Sequence, residues 1–298
     1  MLAWNEKIVS LQRRNGRAVE CGGLENRCTA MYRGFESLFL RGDEATEKSL
    51  LFFIHESAQI LFNFVLSNID SMENNNSLSN RYSHSEEVAN TISHLIGAIM
   101  GISVCSFFLL KAYQSGDSLS IFSLYLYFFG VVSSYLASFL YHACPAKKEN
   151  SKLLLRKFDH AAIYWHIAGS YTPIVLIAMY LNEAVIWAFA VFSFIWICAI
   201  LGTILTFRKI KPHSYFKTAC YVVMGLSILV AFKPLYESVG LKVVLFIIAE
   251  GLSYIIGAIF YSFKKTKYMH SVFHVFVVFG DVFHMLAVWN VIKMYLYS

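Results

Sequence analysis

Histidine and aspartate are scarce in apolar helices, so their positions mark where this chain can do chemistry. The stretch HSVFHVFVVFGDVFH, His270 to His284, places His270 and His274 four residues apart in an otherwise apolar run. Residues i and i+4 of a helix lie one above the other, so these two imidazoles share a face. SFLYH repeats the spacing with Ser138 and His142, and Asp159 follows in FDH. Three imidazoles, His142, His270 and His274, with a fourth position open make a catalytic zinc pattern. Oxygen-seeking cations would ask for carboxylates and carbonyls instead. Asp159 could hold or deprotonate a water there, and Ser138 could steady that water or orient His142. Each histidine alone reads more often as a hydrogen-bonded core residue than as a ligand. The metal reading therefore depends on the chain bringing all five residues to one place.

The elements that must do this are membrane helices. The 298 residues are 57% hydrophobic and only 15% charged, against about 25% charged in an ordinary soluble domain. Apolar runs of roughly 20 residues recur, long enough to cross a bilayer, and they lack the alternation of barrel strands. The sequence predicts an all-α, polytopic membrane protein with seven spans at 88–112, 120–142, 160–181, 184–207, 216–235, 241–263 and 271–295. Pro173 and Pro234 fall inside spans, where membrane helices tolerate proline. The net charge of +6 does not signal nucleic acid, because most basic residues flank apolar runs, at the level of lipid headgroups. The six cysteines show no CxxC or other ligand spacing and receive no disulfide or metal role.

Charge asymmetry orients the spans. Twelve basic residues, Lys147, Lys148, Lys152, Arg156 and Lys157 among them, fall after spans two, four and six, and few fall in the opposite loops. The positive-inside rule then puts the N-terminus in the cytoplasm and the C-terminus outside. In that orientation His142 closes span two, Asp159 precedes span three, and His270 and His274 open span seven. All lie at one cytoplasmic level.

The remaining polar residues carry weaker signals. His94 reads as a structural hydrogen bonder, and Glu87 as a helix cap or the partner of a basic loop. His284 lies ten residues past His274, about 15 Å along the axis, too far to share its ion. Asp281 is on the same face as His274 and deeper. Glu250 lies in the middle of span six, neutral or paired with His284. His160 and His166 read as packing or interface residues.

Residues 1–71 differ from the rest. The stretch from Arg13 to Arg41, with GFES at Gly34 to Ser37, resembles translated tRNA-gene sequence, and residues 49–69 read as an interfacial helix or translated AT-rich DNA. The expectation is that 1–71 is a mis-assigned extension, with translation starting at Met72. A polar cytoplasmic segment, 72–87, then leads into a membrane domain at 88–296.

Four pieces taken together, EVANTISH (Glu87 to His94), SFLYH, KFDHAAIYWHIAGSYTP (Lys157 to Pro173) and the His270–His284 stretch, resemble the haemolysin III branch of the progestin and adipoQ receptor superfamily. The resemblance covers about residues 84–296. It implies a seven-helix bundle with a cytoplasmic N-terminus and a zinc ion on His142, His270 and His274. Asp159 would act through water and Ser138 would lie beside the site, while Asp281 stands where a small residue is expected. Eukaryotic relatives look like metal-dependent lipid amidases, similar to alkaline ceramidases, which implies hydrolysis of a membrane lipid amide or ester. The bacterial branch carries a cytolytic name, and the short loops resemble that branch, implying a bacterial inner membrane. The competing expectation is a non-enzymatic cytolytic or lipid-homeostasis protein with structural zinc.

Overall fold

The computed structural model describes residues 82–208, 214–263 and 266–297. The expectations for residues 1–71, and for most of 72–87, lie outside the described residues. Seven α-helices follow in order: α1 (His84–Ser115), α2 (Ser118–Ala143), α3 (Glu149–Pro173), α4 (Val185–Phe207), α5 (Ser214–Leu226), α6 (Phe232–Ser262) and α7 (Met269–Tyr295). Among the described residues there is no strand.

The bundle is apolar outside, and its largely apolar interior also holds polar groups. Ile186, Val223, Val230, Ile197 and Ile255 are among many large apolar side chains left exposed, while Glu87, His94, His142, His274, Asp281 and His284 are buried. The exposed surface, rather than the core, departs from the soluble pattern. Hydrocarbon welcomes the first set and cannot hydrogen-bond the second. Among the described residues, six helical segments are long and apolar enough to cross a membrane. Five match expected spans, although α3 starts at Glu149 rather than near residue 160. Lys152, Arg156 and Lys157 therefore ride on a helical extension: nothing in that segment breaks a helix, and charge alone does not end one.

The remaining segment, Cys220–Ser262, is 43 residues long and covers most of two expected spans, 216–235 and 241–263. A straight helix of that length would extend roughly 65 Å, about twice the hydrocarbon thickness. It is not straight: a 3₁₀ turn occupies Ser227–Ala231, and Gly240 leaves helical geometry at φ 68°, ψ 175°. Without a Cβ, glycine adopts that conformation at little cost.

Three features position the interior. Pro173 ends α3, and a π-helical turn, Ile174–Met179, carries the chain on through the centre of the bundle with every side chain buried. A proline offers no N–H to the ladder, and the widened turn absorbs the change of register. Helices α2 and α3 meet at Gly130 and Gly169, where a Cβ on Gly130 would lie 2.5 Å from the Trp165 carbonyl oxygen and 3.1 Å from the Gly169 Cα. Small residues allow such approach where no hydrophobic force drives helices together. At the start of α7 the Tyr268 amide donates to Glu86 Oε1 (2.9 Å) and Ser271 Oγ donates to Asn90 Oδ1 (2.6 Å), fastening α7 to the first turns of α1.

Gly130→Val should lower stability in detergent by about 1–3 kcal/mol, because backbone rather than a movable side chain blocks the new methyls. Gly225→Ala, whose added Cβ would meet nothing within 4 Å, should melt like the parent. Thermal unfolding followed by circular dichroism checks both.

Candidate metal centre

Three buried imidazoles converge at one end of the bundle. His94 comes from the third turn of α1, His142 from the last turn of α2 and His274 from the second turn of α7. One ring nitrogen of each lies within 4.8 Å of the others. Zinc–nitrogen bonds are about 2.1 Å, so small ring movements would bring these three atoms onto one ion. His94 and His274 meet edge to face, with ring centroids 4.0 Å apart, and His142 lies 5.4 Å from His274 and 5.7 Å from His94.

Neither ring nitrogen of His94 or of His274 has a hydrogen-bond partner among the described residues. An unsatisfied buried polar group costs roughly 1–3 kcal/mol, so this packing calls for a bound species. The donor set is entirely imidazole, which suits zinc, copper, iron or nickel rather than calcium or magnesium. The expectation that His94 is a structural hydrogen bonder does not match this environment. The serine-histidine pair of EVANTISH, one turn into the apolar run, was the available signal.

His142 is anchored from behind. Its Nδ1 lies 2.6 Å from Glu87 Oε2, while Glu87 Oε1 accepts from Lys152 Nζ at 2.7 Å. Because an ionised carboxylate only accepts, Nδ1 carries the proton, and the lone pair on Nε2 is left for the cluster. Lys152 also donates to the Cys144 carbonyl (3.2 Å). Glu87 thus pairs with the basic residues that follow α2, as its sequence context suggested, and also holds an imidazole on the next helix in no foreseeable register.

The other expected site residues lie around this core. His270 borders it, 4.2 Å from His274 and 5.3 Å from His142 by ring centroids, and it stacks on Tyr82 at 4.8 Å. His142 and His274 are therefore common to the expected trio and the compact cluster, with His94 and His270 as neighbours of both. Ser138, one turn before His142, donates to Asp159 Oδ1 across the α2–α3 contact. Asp159 is half-buried.

The residues read as weaker signals form a second polar group deeper in the bundle. His166, expected to be a packing residue, bonds Asp281 Oδ1 through Nε2 at 3.0 Å. Tyr135 and Tyr254 also donate to Asp281. His284 pairs with Glu250, Nδ1 to Oε2, at 2.8 Å.

An apolar-sided helical bundle with interior carboxylates and a buried three-imidazole cluster defines a polytopic membrane protein with a candidate metal centre. The haemolysin-III-related family profile matches residues 82–285, and the chain belongs to that family, the haemolysin III branch of the progestin and adipoQ receptor superfamily. It is 35% identical to Hemolysin-3 of Bacillus cereus over 196 residues, 66% of this chain and 87% of that one. It is 33% identical to the Hemolysin-3 homolog of Bacillus subtilis over 66% of this chain and 89% of that one. To the human monocyte to macrophage differentiation factor it is 26% identical over 212 residues, 69% of this chain and 84% of that one. It is a multi-pass protein of the cell membrane.

Glu87→Gln leaves the volume unchanged but weakens the hold on His142, and should lower zinc affinity about 10–100-fold. Competition against a chromophoric chelator on purified protein measures this, and an unchanged affinity would remove Glu87 from the site.

Proposed function

We propose that this chain is a zinc-dependent hydrolase of membrane lipid amides or esters. One observation carries the reading: three buried imidazoles, two of them without hydrogen-bond partners among the described residues, lie within reach of one ion, beside a serine-aspartate pair, in a protein whose outer surface is lipid-facing. His142 and His274 would hold the ion, with His94 or His270 as third ligand. Zinc, when bound, polarises a carbonyl and makes water a nucleophile near neutral pH.

The chain's own residues supply the rest. Glu87 keeps His142 in the tautomer that presents Nε2. Asp159 takes the proton from the attacking water, and the Ser138 hydroxyl holds Asp159 in place by donating to it. The amphiphilic substrate enters sideways between helices, its acyl chain remaining in hydrocarbon while its carbonyl reaches the histidine level.

The reading takes the domain as seven crossings with a cytoplasmic N-terminus. The break at Gly240 supports dividing the long apolar segment into two crossings, and the clustering of basic residues after spans two, four and six supports the orientation. The site would then face the cytoplasmic leaflet.

A second reading has its own observation. His270 lies against both His142 and His274, which in turn lie against His94, and four protein ligands close a structural zinc site. The protein would then be a non-enzymatic cytolytic or lipid-homeostasis factor.

Metal analysis and product detection by mass spectrometry with ceramide-like amides and lipid esters separate these readings. Asp159→Asn should retain zinc and lose turnover by about 10²–10⁴-fold. His142→Ala and His274→Ala should lose both. Of His94→Ala and His270→Ala, only the ligand's variant should lose zinc in the hydrolase, whereas each should weaken it in a closed four-histidine site. Full zinc in the His142→Ala/His274→Ala double variant would end the metal proposal.

A further inference from the structure

The metal centre leaves unused two carboxylates, two imidazoles and several hydroxyls buried on the far side of it. Helices α6 and α7 are joined by two consecutive polar rungs. Tyr254 donates to Asp281 Oδ1 at 2.5 Å, and His284 Nδ1 meets Glu250 Oε2 at 2.8 Å. Glu250 and Tyr254 are one turn apart on α6, and Asp281 and His284 one turn apart on α7. Asp281 accepts two more bonds, from His166 of α3 and Tyr135 of α2. Glycines make room for both tyrosines: a Cβ on Gly280 would strike the Tyr254 ring at 2.4 Å, and one on Gly97 the Tyr135 ring at 2.1 Å.

The same polar line continues along α2. Ser120, Ser123, Tyr127, Tyr135, Ser138 and His142 recur at helical spacing on one face, with Val131 the apolar step between the two tyrosines. The hydroxyls of Ser120, Ser123 and Tyr127 and the Nε2 of His284 are buried and have no hydrogen-bond partner among the described residues. The Tyr127 and His284 rings lie 5.4 Å apart by centroids. At the other end the Tyr135 ring lies 6.0 Å from His94. Polar groups thus extend from the first turn of α2, at one end of the bundle, to the level of the histidine cluster.

We infer that this line is a proton relay through the membrane domain, with the Glu250–His284 and Asp281–His166 pairs as its carriers. The groups are strung out as a chain. Among the described residues only the His94–His142–His274 group brings three ligand atoms together, so the deeper groups suit a proton better than a metal ion. Carboxylates and imidazoles inside a bilayer are expensive to bury, and moving protons is what such pairs do well. The elementary step balances. A proton arriving at His284 Nε2 forms that N–H bond while the Nδ1–H bond breaks. The released proton neutralises the Glu250 carboxylate, and the imidazole ends neutral as its other tautomer. One helical turn on, Tyr254 leads to Asp281, whose carboxylate faces Tyr135, His166 and Tyr254, with Cys105 of α1 and Tyr127 beyond them.

The test is independent of zinc and of hydrolysis. The full chain is reconstituted into liposomes holding a pH-sensitive dye and, separately, calcein, and a potassium-valinomycin potential is applied. The expected result is potential-driven proton uptake with calcein retained, falling to the rate of protein-free liposomes in Glu250→Gln and in Asp281→Asn. Asp281→Asn disturbs three hydrogen bonds and can compromise folding, so Glu250→Gln, which leaves the Asp281 node intact, decides the matter. Uptake no faster than in protein-free liposomes, uptake unchanged in Glu250→Gln, or calcein release alongside uptake would each overturn the relay. Zinc content and turnover measured on the same preparations report on the metal site alone.

Discussion

The Glu87 carboxylate is the point on which the histidine-cluster end of the bundle depends. Its two oxygens bind His142 from α2 and Lys152 from α3, and it stands in the first turns of α1. A carboxylate this deeply buried is stable only if paired and hydrogen-bonded. Removing one member of such a pair typically costs about 3–5 kcal/mol, because the other charge is left unpaired. The three helices are therefore held in one arrangement at this end, and that arrangement brings His94 and His142 to the same place. Glu86, the neighbouring residue, accepts from the Tyr268 amide and draws the start of α7 to the same end, completing the histidine group.

Hydrocarbon imposes the rest. With no water outside, polar side chains are forced inward, where they find one another or remain unsatisfied. Asp281 satisfies itself with three donors from three helices, and Glu250 takes His284. His94 and His274 do not satisfy themselves, and that difference separates a candidate ligand site from a polar core. Hydrogen bonds between membrane helices are individually modest, averaging about 0.6 kcal/mol, so close contact between small residues must share the work of assembly. The Gly130–Gly169 approach and the glycine-lined seats of Tyr135 and Tyr254 show where it does.

The two polar groups rely on the same helices for different reasons. α2 presents Tyr135 to Asp281 and, two turns later, His142 to the cluster, and α7 presents His274 and Asp281 on one face. Because a helix repeats every 3.6 residues, a single face can serve both depths. The π-helical turn after Pro173 packs the centre of the bundle with apolar side chains, from Ile174 to Met179.

The sequence by itself determined the membrane setting, the helical class and the gathering of Ser138, His142, Asp159, His270 and His274 towards one level. Each follows from local quantities: hydropathy over a span, spacing along one helix, charge at its ends. Only the tertiary structure decided which face of each helix meets which neighbour. That step drew His94 into the imidazole cluster, 48 residues from His142 and 180 from His274 by number, put Glu87 behind His142, and turned His166 from a packing residue into a partner of Asp281. It also placed a non-helical residue, Gly240, inside the long apolar run. The physical reason is that periodicity fixes a residue's face on its own helix, whereas contact depends on the rotation and depth of the helix opposite, which packing between helices sets.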